Sequence, residues 1–149
     1  MAVTHTLIQT ISVTAGAGQA NITFSSIPGT YTDLLVKVSA RATAASPDIY
    51  LRFNGLNTNL SDIVVYGFGA STVGSNSTSN IRVPFGSSSA TAGVFASSEI
   101  YIPNYASAVI HPVSVDGAVE ENGTTNNIMW LGAGLWNSAT AITEINLVP

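Results

Sequence analysis

Apolar and polar side chains alternate with a period of two along most of the chain, and this spacing predicts β-strands. In segment 32–41, Leu34, Val36 and Val38 fall on one face, and the two β-branched valines favour a strand over the competing helix. The other segments with a strand-like pattern are 7–14, 22–25, 49–53, 63–66, 80–85, 94–102, 109–115, 127–136 and 141–148. The pattern therefore predicts about nine or ten short strands and no helix.

Three segments carry more specific expectations. Pro112 lacks the N–H that a β-ladder needs, so segment 109–115 is predicted to be an edge strand. Segment 127–136 is apolar on both faces, which predicts a strand covered on both sides. In the stretch 69–93, 14 of 25 residues are Gly, Ser or Thr, and we expect long flexible connections around one short strand. Turns are predicted at 54–55, 116–117 and 122–123.

Many short strands separated by turn residues are typical of a two-sheet β-sandwich. The expected fold is therefore all-β, with a jelly roll as the expected strand arrangement. The length of 149 residues fits one domain, 1–149, in which residues 1–6 are expected to form an N-terminal arm ahead of the first strand.

Charged residues are scarce: they make up 8% of the chain, against about 25% in ordinary globular domains, and the net charge is −4. Four scattered basic residues cannot neutralise a phosphate backbone, so nucleic acid is not an expected partner. The same shortage argues against binding to anionic membranes. A surface built from Ser, Thr, Asn and Gly is cheap to desolvate, which favours packing against other protein chains. The chain has no cysteine, which excludes disulfides and thiolate metal sites.

The chain offers few groups for catalysis. His111, Ser114 and Asp116 are close in sequence, but neighbours along one strand rarely converge, and no Gly-x-Ser-x-Gly elbow supports a triad. We expect His5 and His111 to be polar surface or interface residues. Neither a calcium-binding loop nor a phosphate-binding loop is present in the sequence. The prediction is a protein that is not an enzyme and that uses no metal and no cofactor.

The large aromatic residues have two possible interpretations. The candidates for a sugar site are Tyr101, Tyr105, Trp130 and Trp136. The preferred interpretation is that these residues pack in the core and at contacts between subunits, because aromatic side chains dominate the energetics of both. Together with Leu135 they are the predicted interface residues.

A series of short motifs resembles, in the same order, a segment of the virion proteins of tailed bacteriophages. The motifs are Ser25-Ser26-Ile27-Pro28, Tyr31-Thr32-Asp33-Leu34-Leu35-Val36, Ser39-Ala40-Arg41, Leu51-Arg52-Phe53-Asn54-Gly55, Tyr66-Gly67, Ile100-Tyr101-Ile102-Pro103-Asn104-Tyr105-Ala106, Gly134-Leu135-Trp136 and Ala141-Ile142-Thr143. They run from about Ser25 to Leu147 and cover most of the chain, and their order is a stronger signal than any single motif.

This resemblance implies a structural role in a viral particle. Proteins of this kind are described as virion structural, head decoration or tail-fibre proteins. The resemblance implies a decoration, or cement, protein that binds the major capsid protein on the outer head surface and assembles with itself as a homotrimer. The alternative is a tail or tail-fibre module that recognises a cell-surface glycan.

Overall fold

The computed structural model describes residues 5–13, 18–45, 49–121 and 127–149, and these residues form ten β-strands and no helix. The strands are β1 (Ile22–Phe24), β2 (Leu34–Ala40), β3 (Ile49–Phe53), β4 (Leu60–Phe68), β5 (Ser71–Ser77), β6 (Ile81–Val83), β7 (Ala96–Ile102), β8 (His111–Val119), β9 (Ile128–Trp136) and β10 (Ile145–Val148). Within the described ranges, accordingly, no helix is long and apolar enough to cross a membrane.

The strands form two antiparallel sheets. One sheet has four strands in the order β1-β10-β3-β6, and the other has six in the order β2-β7-β8-β9-β4-β5. The predicted all-β, two-sheet architecture and the predicted number of strands are confirmed. The strand order does not confirm a jelly roll, because β7, β8 and β9 are sequence neighbours that also pair side by side.

The core lies between the inward faces of the two sheets, where alternate residues of strands such as β3, β7 and β8 are buried. In β3, Leu51 and Phe53 are fully buried, as the period-two pattern predicts. The Phe53 ring packs against Trp136 of the other sheet, with 5.3 Å between ring centroids. Burying a large apolar side chain of this kind stabilises a fold by about 1.5–3 kcal/mol. Contacts of this kind between the two layers therefore hold the sandwich together.

The predicted turn at 54–55 is confirmed and fixes the end of β3. Both Asn54 (φ 53°) and Gly55 (φ 70°) have left-handed backbone conformations, which suit this residue pair. The Asn54 side-chain oxygen accepts hydrogen bonds from the backbone N–H groups of Thr143 (2.9 Å) and Glu144 (3.1 Å). Its amide group donates to the Ala141 carbonyl at 2.9 Å. One turn residue thus attaches the end of β3 to the segment that leads into β10.

The predicted strand at 7–14 is not formed in the described residues 5–13, which have no regular structure. Their apolar side chains lie outside the core, and Leu7 is 80% exposed. Of the predicted arm, His5 and Thr6 are exposed, and residues 1–4 lie outside the described ranges. The alternation at 7–14 therefore has no partner strand within the described part of this chain.

The stretch 69–93 is more ordered than its composition predicts. It contains the expected strand β6 and also β5, which sequence reasoning missed because its Ser, Thr, Gly and Asn residues give no apolar contrast. The Gly- and Ser-rich loop that follows β6 is held by Arg41. Its guanidinium group donates to the carbonyl oxygens of Ser87 (3.0 Å), Ser88 (2.8 Å) and Ala90 (2.8 Å).

Strand β8 differs from the prediction in position and length. It lies between β7 and β9 and is not an edge strand. The β-ladder with β7 begins only at Ser114, so at Pro112 the strand has a neighbour on the β9 side alone, and the missing N–H can be tolerated. The predicted turn at 116–117 is wrong, because both residues lie inside β8; the one at 122–123 lies outside the described residues.

Gly117 is required by close packing between the sheets. A Cβ atom at this position would lie 2.6 Å from Cγ of Pro84 and 3.0 Å from the backbone oxygen of Ser97. The oxygen cannot move without disturbing the ladder between β7 and β8. Glycine here lets the two layers approach each other.

We expect Gly117→Ala to destabilise the fold by about 1–3 kcal/mol, the usual effect of overpacking a filled core. The measurement is the free energy of unfolding from urea denaturation. Gly74→Ala is the matched control, because a Cβ atom there meets nothing within 4 Å and the backbone conformation is ordinary. A Gly117→Ala variant as stable as the control would contradict the packing analysis.

Candidate functional site

The exposed face of β9 corrects the prediction that this strand is covered on both sides. Its inward face is buried from Gly132 to Trp136, as expected. Its outward face is apolar but lies open: Met129 is 73% exposed and Leu131 is 65% exposed. A central strand of a sheet therefore presents large apolar side chains to the surroundings.

The neighbouring strand β4 enlarges this surface. The antiparallel register places Val65 opposite Leu131, and Ile63 opposite Ala133. Ile63 is itself 63% exposed. We define the outer patch by the exposed outward residues of both strands: Ile63, Val65, Met129, Leu131, Ala133 and Leu135. Contiguous exposed apolar surface of this kind is typical of sites of protein–protein contact.

Polar and charged residues border the outer patch on one side. Asp116 of β8 lies opposite Leu131 in the register. Further along the same row, Lys37 and Glu99 form an exposed ion pair with an N–O distance of 2.8 Å. The outward face of the six-stranded sheet therefore has an apolar half at β4 and β9 and a charged half at β2, β7 and β8. An apolar centre beside a polar rim is the usual arrangement of a protein interface.

Of the five predicted interface residues, Tyr101 and Leu135 lie on this outward face and are partly exposed. The Tyr101 hydroxyl donates to a carboxylate oxygen of Asp33 at 3.0 Å. The other carboxylate oxygen accepts from the Asn104 backbone N–H at 2.9 Å. The hydrogen bond to Asp33, together with desolvation and the carboxylate charge, raises the pKa of Tyr101 above its ordinary value.

Two other predicted interface residues do not reach the surface. Tyr105 and Trp136 are fully buried, so the core part of their interpretation holds and a direct contact with a partner does not. The Tyr105 hydroxyl donates to the Pro28 carbonyl. Trp136 packs against Phe53 on one strand and stacks with His111 on another, at 5.6 Å between centroids. The sequence alone does not distinguish aromatic residues of the core from those of an interface, because the same residue types stabilise both.

His111 is also a core residue, which corrects its assignment to a surface or interface. A nitrogen of its ring, Nε2, lies 2.9 Å from the Thr140 carbonyl. Ser114 and Asp116 point to the opposite, outward face of β8, so the structure separates the three residues of the imagined triad. Within the described residues, no group of three His, Cys, Asp or Glu side chains could hold a metal ion.

Trp130, the fifth predicted residue, lines a cleft on the inward side of the sheet. The cleft has a volume of about 480 Å³ and lies where β4, β5 and β9 extend beyond β6. Trp130 stacks on Tyr66 at 5.1 Å, and the Arg82 guanidinium lies 5.8 Å from the centre of its ring. The partly exposed Phe68 and Val73 complete the β4–β5 side of the cleft.

A buried ion pair holds this end of the sandwich. Asp62 of β4 accepts from Nη2 of Arg82 at 2.7 Å and from its Nε at 2.9 Å. It also accepts from the Arg82 backbone N–H at 2.8 Å. Nη1 of the same side chain donates to the Ser75 hydroxyl of β5 at 3.1 Å. The pair therefore connects the four-stranded sheet to two strands of the six-stranded sheet.

Comparison with protein-family models, with curated proteins and with solved structures gave no match to this chain. A proposal about function therefore rests on the outer patch, on the cleft and on the sequence motifs described above.

We expect Asp62→Asn to reduce the free energy of unfolding by about 3 kcal/mol. The substitution removes the negative charge of a largely buried ion pair and leaves the Arg82 guanidinium without its opposing charge. Glu99→Gln breaks the exposed pair with Lys37 and serves as the control, with an expected loss below about 1 kcal/mol. Urea denaturation measures both. Equal losses for the two variants would contradict a structural role for the buried pair.

Asp33→Asn should lower the pKa of Tyr101 towards 10, because it removes the carboxylate that favours the neutral phenol. A pKa raised by folding contributes stability that is complete at lower pH and is lost as the pH rises through the folded-state pKa. The measurement is a tyrosinate absorbance titration, with Tyr101→Phe identifying the signal and Asp116→Asn as a control for loss of one charge. An unchanged Tyr101 transition in Asp33→Asn would contradict the assignment.

Proposed function

We propose that this chain is a non-enzymatic decoration protein that binds the outside of an assembled viral head and stabilises it. The outer patch is the observation that carries the proposal. The outward-facing apolar residues of β4 and β9 contribute nothing to the chain's own core, and burying them against a partner is favourable at about 25 cal/mol per Å². The motifs that resemble phage virion proteins support a virion shell as that partner.

The proposed mechanism is mass action on assembly. A protein that binds the assembled shell more tightly than the free subunits stabilises the shell by the free energy of binding. Each copy contributes a small amount, and many copies on one head add together. Such a role needs contact area and shape complementarity, and it needs no reactive side chain. The low charge of the chain supports this, because few ions have to lose their hydration at the contact.

The charged half of the outward face supplies orientation in this proposal. Glu99 and Lys37 neutralise each other, whereas Asp116 adds a negative charge next to Leu131. A shell surface with an apolar depression bordered by a basic residue would complement the face. Charge complementarity at a rim fixes the register of a complex more than it adds affinity.

Recognition of a cell-surface glycan is a second candidate function, and the cleft is the observation that favours it. Trp130 and Tyr66 supply aromatic surface there, and Ser71 and Ser87 supply hydroxyl groups. The rings of Trp130 and Tyr66 cover each other, however, so less of their faces is left for a sugar. Binding on a glycan array together with absence from the head surface would favour this candidate over shell binding.

Leu131→Lys should weaken binding to assembled shells at least tenfold, which corresponds to about 1.4 kcal/mol. The substitution places a charged, hydrated group at the centre of the outer patch. Binding is measured by co-sedimentation of the purified protein with expanded shells, over a range of protein concentrations. Free capsid subunits provide the comparison, and they should bind less of the protein.

Leu56→Lys is the matched control for this experiment. Leu56 is also exposed, but it lies in the turn after β3, away from the outer patch. It makes the same change in residue type and net charge, and we expect it to leave binding within about twofold of the original. Failure of the unmodified protein to bind shells, or equal loss in the two variants, would contradict the proposal.

A further inference from the structure

We propose that segment 7–13 forms a β-strand that pairs with the free edge of β5 in a second copy of this chain. The geometry needs two matching elements, a strand without a sheet and a sheet edge without a strand. The described residues supply both, and neither element finds its match within one copy.

Segment 7–13 is the strand without a sheet. Its sequence alternates as a strand does, yet none of the hydrogen bonds within the described part of the chain involves it. Leu7 is 80% exposed, and Ile8 and Val13 are also exposed. Isolated extended segments are not stable in water, and they gain stability by adding to an existing sheet edge.

Strand β5 is the sheet edge without a strand. It pairs with β4 on one side and is the last strand of the six-stranded sheet on the other. Its seven residues include no charge and no proline, the features that usually protect an edge from further pairing. At the opposite edge of the same sheet, β2 carries Lys37 at its centre. Of the two edges of the six-stranded sheet, the unprotected one is therefore that of β5.

The side chains on the two elements match when their centres align. Both span seven residues, so Thr10 then lies opposite Gly74 in either strand direction. Ile11 and Val13 face inward in this alignment, on the side of the sheet where Val73 lines the cleft. Ile8 faces outward, on the side of the outer patch. On the inward face the segment meets Val73, and on the outward face it meets the polar residues of β5, with the outer patch one strand further.

The topology favours a second copy over the same one. Segment 7–13 precedes β1, which is one edge of the four-stranded sheet. The opposite edge is β6, which packs across β8, β9 and β4, so β5 lies beyond β6 in the strand order of the wider sheet. The edges β1 and β6 are three strand spacings apart, roughly 14 Å. The chain thus enters the fold at the edge remote from β5.

Pairing of one copy's segment with the next copy's β5 is a head-to-tail contact. Such contacts generate a closed ring when the rotation between copies closes. A ring of three copies would pair every segment 7–13 with a β5 edge. Such a ring would give a structural basis for the homotrimer that the resemblance implies. The pairing itself does not depend on shell binding, because it uses β5 and the cleft, whereas the proposed shell contact uses the outer patch.

Disulfide cross-linking tests the pairing directly, because the chain has no cysteine of its own. Thr10→Cys and Gly74→Cys proteins are mixed, unfolded and refolded together, and then oxidised. A disulfide between the two different variants is intermolecular by construction. Lys37→Cys, at the centre of the β2 edge, replaces Gly74→Cys as the matched control. We expect at least tenfold more mixed disulfide with Gly74→Cys than with Lys37→Cys.

Thr10→Pro provides an independent measurement, because proline at the centre of the segment removes a ladder donor. We expect it to raise the dissociation constant of self-association, measured by sedimentation velocity, at least tenfold. Thr6→Pro, just outside the segment, should leave the constant within about twofold. The inference is overturned by a monomeric unmodified protein, by equal effects of the two prolines, or by a preference for the Lys37→Cys partner. Leu131→Lys should leave cross-linking unchanged, which separates this inference from shell binding.

Discussion

The structure depends on one constraint, the mismatch between a four-stranded sheet and a six-stranded sheet that share one core. A sandwich buries the inward face of each sheet, and contacts such as Phe53 with Trp136 close the space between the layers. Four strands cannot cover six, so the inward side of β4, β5 and β9 opens into the cleft. Among the described residues, no layer covers the outward side of β4 and β9. The cleft follows from the difference in sheet width, whereas the outer patch is open because it lies on the face turned away from the other sheet.

The fold is held together with few charged groups, although part of its surface is apolar. Within the described residues, the one buried ion pair is Asp62 with Arg82, and it lies where the narrow sheet ends above the wide one. Elsewhere, neutral groups do similar work: Asn54 joins β3 to the approach of β10, and Ser98 donates to the Pro84 carbonyl at 2.7 Å. Neutral hydrogen bonds cost less to desolvate than ions. A fold held in this way can be packed closely against other chains.

The sequence predicts the strands that have strong apolar contrast, and it fails where that contrast is missing or misleading. β2, β3 and β7 were identifiable because each alternates cleanly between core and surface. β5 was not identifiable, because polar side chains on both faces of an edge strand give no period. Pro112 misled the placement of β8, because only the ladder with β7 reveals which backbone groups need a partner. The sequence predicts the outer patch only in part. Leu131 and Met129 are recognisable as apolar, but their alignment with Val65 depends on pairing between strands far apart in sequence.

The two largest errors in predicting burial have the same physical origin. Segment 7–13 and the outward face of β9 both carry side chains that pattern reasoning assigns to a covered environment, and in the single chain both are exposed. A pattern of apolar residues can reflect burial against a partner as well as burial in the chain's own core, and the structure of one copy shows only the second. Hydrophobic burial is the main favourable term in association as well as in folding. Exposed strand-like segments are therefore where burial in one copy should differ from burial in an assembly. These exposed surfaces carry the two proposals made above: pairing at β5 with a second copy, and contact of the outer patch with a shell.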